Sequence, residues 1–302
     1  MITYVIDNLF NSPAQVIVNT VNTVGVMGKG IAKEFKHRYP EMFKKYQILC
    51  ESKELTVGKL WIYKSETKWI LNFPTKTTWK QPSRLEYIEN GLQAFVREYV
   101  HRGITSIAFP PLGCGNGELN WEYQVKPLME KYLGTLPIDV FIYFYKNDQG
   151  IPEHHEISET IQWLRKDPQS LSFDEVWDDL KTISEELAKK KSLTNNQIFS
   201  FFISKNDDDE FVEFTNKQQI SKTDLLEFWI LLRNYGLIMK RITPPSLTFS
   251  YLNLVELFTF LPYCKKVNVT TEYSELDISV GLQIIEPSKP TKKEGQLSLL
   301  EL

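Results

Sequence analysis

The sequence predicts an α/β layered sandwich with a mixed, largely parallel sheet, followed by a smaller α+β unit. Short β-branched and aromatic runs alternate with amphipathic helical stretches through residues 1–146, the pattern of strand–helix units that bury a sheet between helices. Two glycine-rich stretches, holding Gly25, Gly28 and Gly30 and then Gly113, Gly115 and Gly117, each follow an apolar run. They fall at the carboxyl ends of strands, where open α/β sheets hold their ligands. The charge also divides: residues 1–150 carry 18 basic and 14 acidic side chains, residues 151–302 carry 17 and 24. A surplus of four positive charges beside a surplus of seven negative ones points to two units with different partners.

Residues 4–6 read as a first strand, closed by Asp7 and Asn8, and residues 15–21 as a second. Over 31–49 the apolar positions Ile31, Phe35, Tyr39, Met42, Phe43 and Tyr46 recur at helical spacing, and Pro40 divides them into two helices. Residues 59–63 and 68–73 alternate polar with apolar and read as strands; a polar loop, 74–83, follows. Leu85, Ile88, Leu92, Phe95, Val96 and Val100 give 84–101 one apolar helical face, ended by Gly103. Residues 104–109 are a strand stopped by Pro110 and Pro111. Asn120 caps the next helix, whose regular part starts at Pro127 after a first tight turn, and 137–145 is the last strand of this unit.

The boundaries drawn from this pattern are a domain over 1–148, a linker over 149–160, a second domain over 161–286 and a tail over 287–302. In the second domain, 173–191 and 194–203 read as helices, 207–210 as an exposed acidic loop and 223–235 as a helix ended by Gly236. Residues 247–260 read as a very apolar helix or a strand–helix mixture, and 266–271 with 276–285 as paired strands. Residues 286–295, rich in Pro, Ser and Lys, read as disordered before the chain turns apolar again.

Composition excludes several classes. No apolar run reaches the ~20 residues of a membrane helix, and the start lacks a signal peptide's basic and apolar regions, so the chain reads as cytoplasmic. Cys50, Cys114 and Cys264 are far apart and offer no disulfide framework. The adjacent His154 and His155 make no metal-ligand spacing, and neither a metal nor a cofactor is called for. The first glycine stretch is neither a dinucleotide fingerprint nor a Walker A loop, since Lys29 is followed by Gly30. Its backbone N–H groups and the helix that follows suit an anion; an ordinary strand-to-helix turn explains it equally well.

Taken together, Asp7 after a first strand, the run V-I-V-N-T-V-N-T-V-G-V-M-G-K-G-I-A, the later P-P-L-G-C-G-N-G-E-L-N-W and the intervening N-F-P-T-K-T-T-W-K-Q-P-S-R resemble the macrodomain family of ADP-ribose-binding folds. Within it they resemble the DarG antitoxin type, over residues 1–146. The resemblance implies a three-layer α/β/α macrodomain, removal of ADP-ribose from thymidine in single-stranded DNA, and a C-terminal domain that binds a DarT-type toxin. It implies an ADP-ribose site of Asp7, Asn8, Asn19, Asn22, Gly25, Met27, Gly28, Lys29, Gly30 and Ile31, with Pro111, Leu112, Gly113, Cys114, Gly115, Asn116 and Gly117. Asp7 would take the adenine amine; Asn22 and the turn at Gly28 would take the distal ribose.

The resemblance also puts Lys80 beside that ribose as the catalytic lysine. Charged, it can hold oxygens as the sugar becomes oxocarbenium-like; neutral, it can form a transient Schiff base. Related hydrolases of acylated proteins carry an aspartate where this chain has Gly117 followed by Glu118, so Glu118 receives no role. Cys114 reads as a small packed side chain. Single-stranded DNA would lie along residues 59–84, where lysines alternate with Trp61, Tyr63, Trp69 and Trp79. Lys76, Trp79 and Arg84 are the DNA contacts expected there, with Trp79 a stacking platform. The acidic residues of the second domain suggest an imitation of DNA phosphates, and the end from Gln296 to Leu300 resembles a sliding-clamp docking motif.

Overall fold

A computed structural model of the chain describes residues 2–145, 151–191, 200–206, 209–270 and 278–285. It divides into two units, Met1–Gln162 and Trp163–Leu302.

In the first unit the apolar run Val16, Ile17 and Val18 forms part of a central strand and is buried on both faces. Six strands, β1 (Ile2–Ile6), β2 (Val16–Val21), β3 (Trp61–Lys64), β4 (Trp69–Pro74), β5 (Ser106–Phe109) and β6 (Asp139–Phe144), form one sheet in the order β1-β6-β5-β2-β4-β3. All neighbours are parallel except β3, which runs antiparallel to β4. Alternate residues then face opposite layers. Val16, Val18, Leu71, Phe73, Ile107 and Phe109 pack with Ile88, Leu92 and Phe95 of α3 (Leu85–Glu98) and Met129 and Leu133 of α4 (Lys126–Leu133). Ile17, Val21, Ile70 and Ala108 pack on the other face with Phe35 of α1 (Gly30–Arg38) and Met42, Phe43 and Tyr46 of α2 (Pro40–Glu51). This is a three-layer α/β/α sandwich. Pro40 begins α2 one residue after α1's C-cap, Tyr39, as its missing N–H allows. The turn at Asn120 departs from expectation: it is a wide π-type turn, Trp121–Val125, with Asn120 Oδ1 accepting from the Tyr123 N–H at 2.9 Å.

Residues 151–160, read as linker, are structured and belong to this first unit. A single 3₁₀ turn, Glu153–His155, leads into α5 (Ile157–Leu164), and Glu153 and Thr160 are buried.

The second unit is α+β. Helix α6 (Phe173–Lys191) precedes the antiparallel sheet β7 (Phe201–Lys205), β8 (Glu210–Phe214) and β9 (Gln219–Ser221). Helix α7 (Lys222–Tyr235), capped by the Ser221 hydroxyl and ended by Gly236 at φ 71°, leads to β10 (Leu237–Met239). Helices α8 (Pro245–Thr248) and α9 (Tyr251–Phe258) precede β11 (Cys264–Val269) and β12 (Ser279–Ile284), which pair as expected, with β10 on the other side of β12. Trp177, Phe228, Trp229, Leu254, Phe258 and Tyr263 fill the core. Residues 201–203, read as the end of a helix, are strand: Phe201 pairs Phe214 and Ile203 pairs Val212. Three consecutive apolar residues fit either period, and the partner strand decides. Residues 286–302, including Gln296 to Leu300, lie outside the described residues, as do Asp207 and Asp208. No described helix is long and apolar enough to cross a membrane.

Candidate active site

A cavity of about 840 Å³ opens at the carboxyl ends of β2, β5 and β6. Asp7, Asn8, Asn22, Gly28, Lys29, Gly30 and Ile31 line it from the first half of the motif set; Pro111, Gly113, Cys114, Gly115, Asn116 and Gly117 line it from the second. Asn19, Gly25, Met27 and Leu112 do not. Asn19 is fully buried between strands, its amide donating to Asn72 Oδ1 at 2.9 Å, and Met27 and Leu112 are core.

Asn22 shapes the first loop. Its Nδ2 donates to the Val26 carbonyl at 2.7 Å, while its Oδ1 accepts from the Val24 and Val26 N–H groups and, at 3.0 Å, from the Tyr46 hydroxyl. The loop therefore arrives at the N-terminus of α1 already folded, with Gly28, Lys29 and Gly30 on the cavity wall. In the second loop Gly113 adopts φ 69°, and a Cβ at Gly117 would stand 2.3 Å from Ser83 Oγ and 2.4 Å from the Gly113 carbonyl oxygen. Ser83 lines the cavity, and its buried hydroxyl has no partner within the protein.

Lys29 and Lys76 both line this cavity, and Lys76 is the buried one. It is buried at 7% exposure, and its ammonium donates to the Asn116 carbonyl at 2.5 Å. Burial lowers its pKa, opposed by the charges of Glu153 and Glu118. The Lys76 expected on DNA is thus turned inward. Lys80 does not line the cavity; its Nζ lies 5.3 Å from the Trp79 ring centre. The reason is the path of the chain after β4. The Thr75 N–H donates to the Val21 carbonyl, continuing β2–β4 pairing past the strand end, and Thr23 bonds the Thr77 carbonyl. Beyond Thr77 the chain leaves the sheet and puts Trp79 into the core at 0% exposure. Trp79 is therefore no exposed stacking platform. Arg84, the N-cap of α3, lies outside the cavity with its guanidinium over Tyr87. Lys68 is spent on the carbonyls of Ser12 and Ala14, and Lys64 lies 3.7 Å from the Trp69 ring centre, so much of the expected DNA strip serves the fold.

Burial pushes the Cys114 thiol up to about 12, which leaves it protonated and a poor nucleophile at neutral pH. Asp7 accepts from the Asn8 N–H at 2.7 Å and from Asn11, an exposed carboxylate at the far end of the first strand. Phe10, Phe144 and Tyr145 supply apolar wall near it; they carry no glycine or charge signature and were not legible as site residues. Glu153 is the least legible lining residue, since it comes from the supposed linker. The cluster beside it is also unforeseeable from spacing: Glu118, at φ 62°, accepts from His154 Nε2 at 2.8 Å and His155 Nε2 at 2.9 Å.

Residues 18–127 match the family model described as Macro domain, and the first unit is a macrodomain. Its sequence is similar to those of DarG proteins. A DNA ADP-ribosyl glycohydrolase of Mycobacterium tuberculosis is 45% identical over 147 residues, which is 47% of this chain and 42% of the relative. Among solved structures, the macrodomain of Mycobacterium tuberculosis DarG is 46% identical, covering 47% of this chain and 97% of that one with a TM-score of 0.46. Thermosipho africanus DarTG in complex with ADP-ribose is 41% identical, covering 50% of this chain and 43% of that one with a TM-score of 0.47. The chain spans about two fifths of the length of the curated relatives it matches.

Proposed function

We propose that the first unit is a DNA ADP-ribosyl glycohydrolase that strips ADP-ribose from thymine bases of single-stranded DNA in the cytoplasm. We further propose that the second unit binds and restrains a DarT-type toxin. The observation that carries the first proposal is Lys76, a buried cation between two glycine loops at the carboxyl ends of the strands. The loops suit a diphosphate through backbone N–H groups, with one sugar at each end. Breaking the bond from C1″ to a base leaves negative charge on the departing base and positive charge on the sugar. A lysine held by a backbone carbonyl is aimed before the reaction and can meet the developing charge on the base oxygens without reorganising. Ser83 Oγ, buried with no partner, is a further donor on the same wall. This assigns to Lys76 the role that the sequence reading gave to Lys80.

Support for the toxin-binding unit is its separate α+β core and the surplus of acidic side chains in its half of the chain. Phosphate mimicry receives less support. Glu210 is held by Lys181 at 2.9 Å, by Lys222 at 2.8 Å and by the Trp177 indole, and Asp179 is held by Arg165 and Tyr263. Those two carboxylates serve their own unit. The end from Gln296 to Leu300, outside the described residues, would dock the chain on a sliding clamp.

The test is release of ADP-ribose by the whole chain from a single-stranded oligonucleotide ADP-ribosylated on thymine, beside a protein ADP-ribosylated on a carboxylate. Release from the oligonucleotide alone supports the proposal. Binding of free ADP-ribose with no release from either would leave a binding module and end the hydrolase reading.

A further inference from the structure

The cavity wall includes four carboxylates, Asp7, Glu34, Glu122 and Glu153. The first three are exposed and engaged locally: Asp7 in its own turn, Glu34 with Arg38, Glu122 with Lys126. Glu153 is buried, at 7% exposure. Lys76 and Lys29 are the cations whose charges act on it. The segment that delivers it is fastened at both ends. His154 and His155 hold Glu118 of the second glycine loop, and Lys29 Nζ donates to the Ile151 carbonyl at 3.0 Å and pairs with Glu156 at 3.4 Å.

The second glycine loop cannot supply a carboxylate to this place. A Cβ on Gly117 meets backbone and Ser83 at well under 3 Å, and the Glu118 carboxylate is occupied by the two imidazoles. We propose that Glu153 is the catalytic acid and base of the site, acting opposite Lys76 from a segment outside the residues that match the Macro domain model. The proposal rests on the hydrolase reading given above. In the step it performs, the bond from C1″ to the base nitrogen breaks and its electron pair stays on that nitrogen, which takes the proton from the Glu153 carboxyl. Water then adds to C1″, and its proton returns to the Glu153 carboxylate. The products are free ADP-ribose and the unmodified base, and the carboxyl is restored. Burial raises the pKa of Glu153, and the Lys76 and Lys29 charges oppose this; a raised pKa is the direction that a general acid needs.

The experiment uses the full chain and a single-stranded oligonucleotide ADP-ribosylated on thymine. Wild-type release is measured first, because its absence defeats the hydrolase reading itself and is distinct from failure of this proposal. Glu153→Gln is isosteric; it is expected to keep free ADP-ribose affinity within about threefold while single-turnover release falls by about 100-fold or more. Glu153→Ala is expected to be equally slow and to regain at least tenfold on addition of formate, which a merely structural glutamate would not show. Wild-type release rates in Glu153→Gln would overturn the proposal. So would Glu153→Gln binding ADP-ribose more than tenfold tighter at an unchanged rate, which would make the carboxylate a mere occupant of the ligand's place. If Glu153→Gln fails to fold, judged by its melting curve, formate rescue of Glu153→Ala decides, and no rescue overturns the proposal.

Discussion

The Lys76 ammonium lies 2.5 Å from the Asn116 carbonyl oxygen, joining the end of β4 to the second glycine loop. The contact spans 40 residues and sets a buried cation on the wall where the two loops meet. A lysine so placed is expensive to bury, and the fold tolerates it because the carbonyl and two nearby carboxylates stabilise the charge.

Trp79 should behave as core. Trp79→Ala removes a fully buried indole and should destabilise the first unit by roughly 3–5 kcal/mol. Denaturant unfolding measures this. An unchanged midpoint with weakened DNA binding would restore the stacking role.

Gly91 sits inside α3, where alanine would ordinarily gain about 1 kcal/mol. Here a Cβ would stand 2.1 Å from the Phe73 ring, and overpacking costs about 1–3 kcal/mol. The second effect should win, so Gly91→Ala should lower the melting temperature, measured by calorimetry.

Glu210 gives the second unit an acid-sensitive element. Burial raises its pKa, but the hydrogen bonds and charges of Lys181 and Lys222 outweigh this and hold it near about 2, below the usual carboxylate value of 4.5. A depressed carboxylate stabilises the fold in full above the unfolded pKa, and that contribution is lost as pH falls from about 4.5 towards about 2. Glu210→Gln should therefore be less stable than wild type at neutral pH and lose less between pH 4.5 and 2. Unfolding midpoints at a series of pH values test this; parallel pH profiles would contradict it.

Much of this was legible in the sequence, for identifiable reasons. Strand–helix alternation sets the sandwich, because a sheet covered on both faces needs apolar residues on both sides of a central strand, as Val16, Ile17 and Val18 of β2 supply. The glycine loops mark the cavity, because close backbone approach leaves a compositional trace at Gly113 and Gly117. Lys76 and Lys80 were not separable, since their directions depend on how far Thr75 and Thr77 follow β2 beyond the strand end. Glu153 was hidden for a similar reason. Its turn reads as linker until His154 and His155 find Glu118, 36 and 37 residues earlier in the chain. In the second unit Phe201, Phe202 and Ile203 carry no period, and only pairing with β8 makes them strand.

Single-turnover release of ADP-ribose from a thymine-modified single-stranded oligonucleotide, compared between wild type, Lys76→Ala and Lys80→Ala, tests the central claim most directly. Free ADP-ribose binding is measured alongside. The account predicts at least a ~100-fold loss of rate for Lys76→Ala, the scale of removing one oriented donor at a reacting centre, with Lys80→Ala within about fivefold of wild type. Full activity in Lys76→Ala, or the loss falling on Lys80→Ala instead, would contradict it.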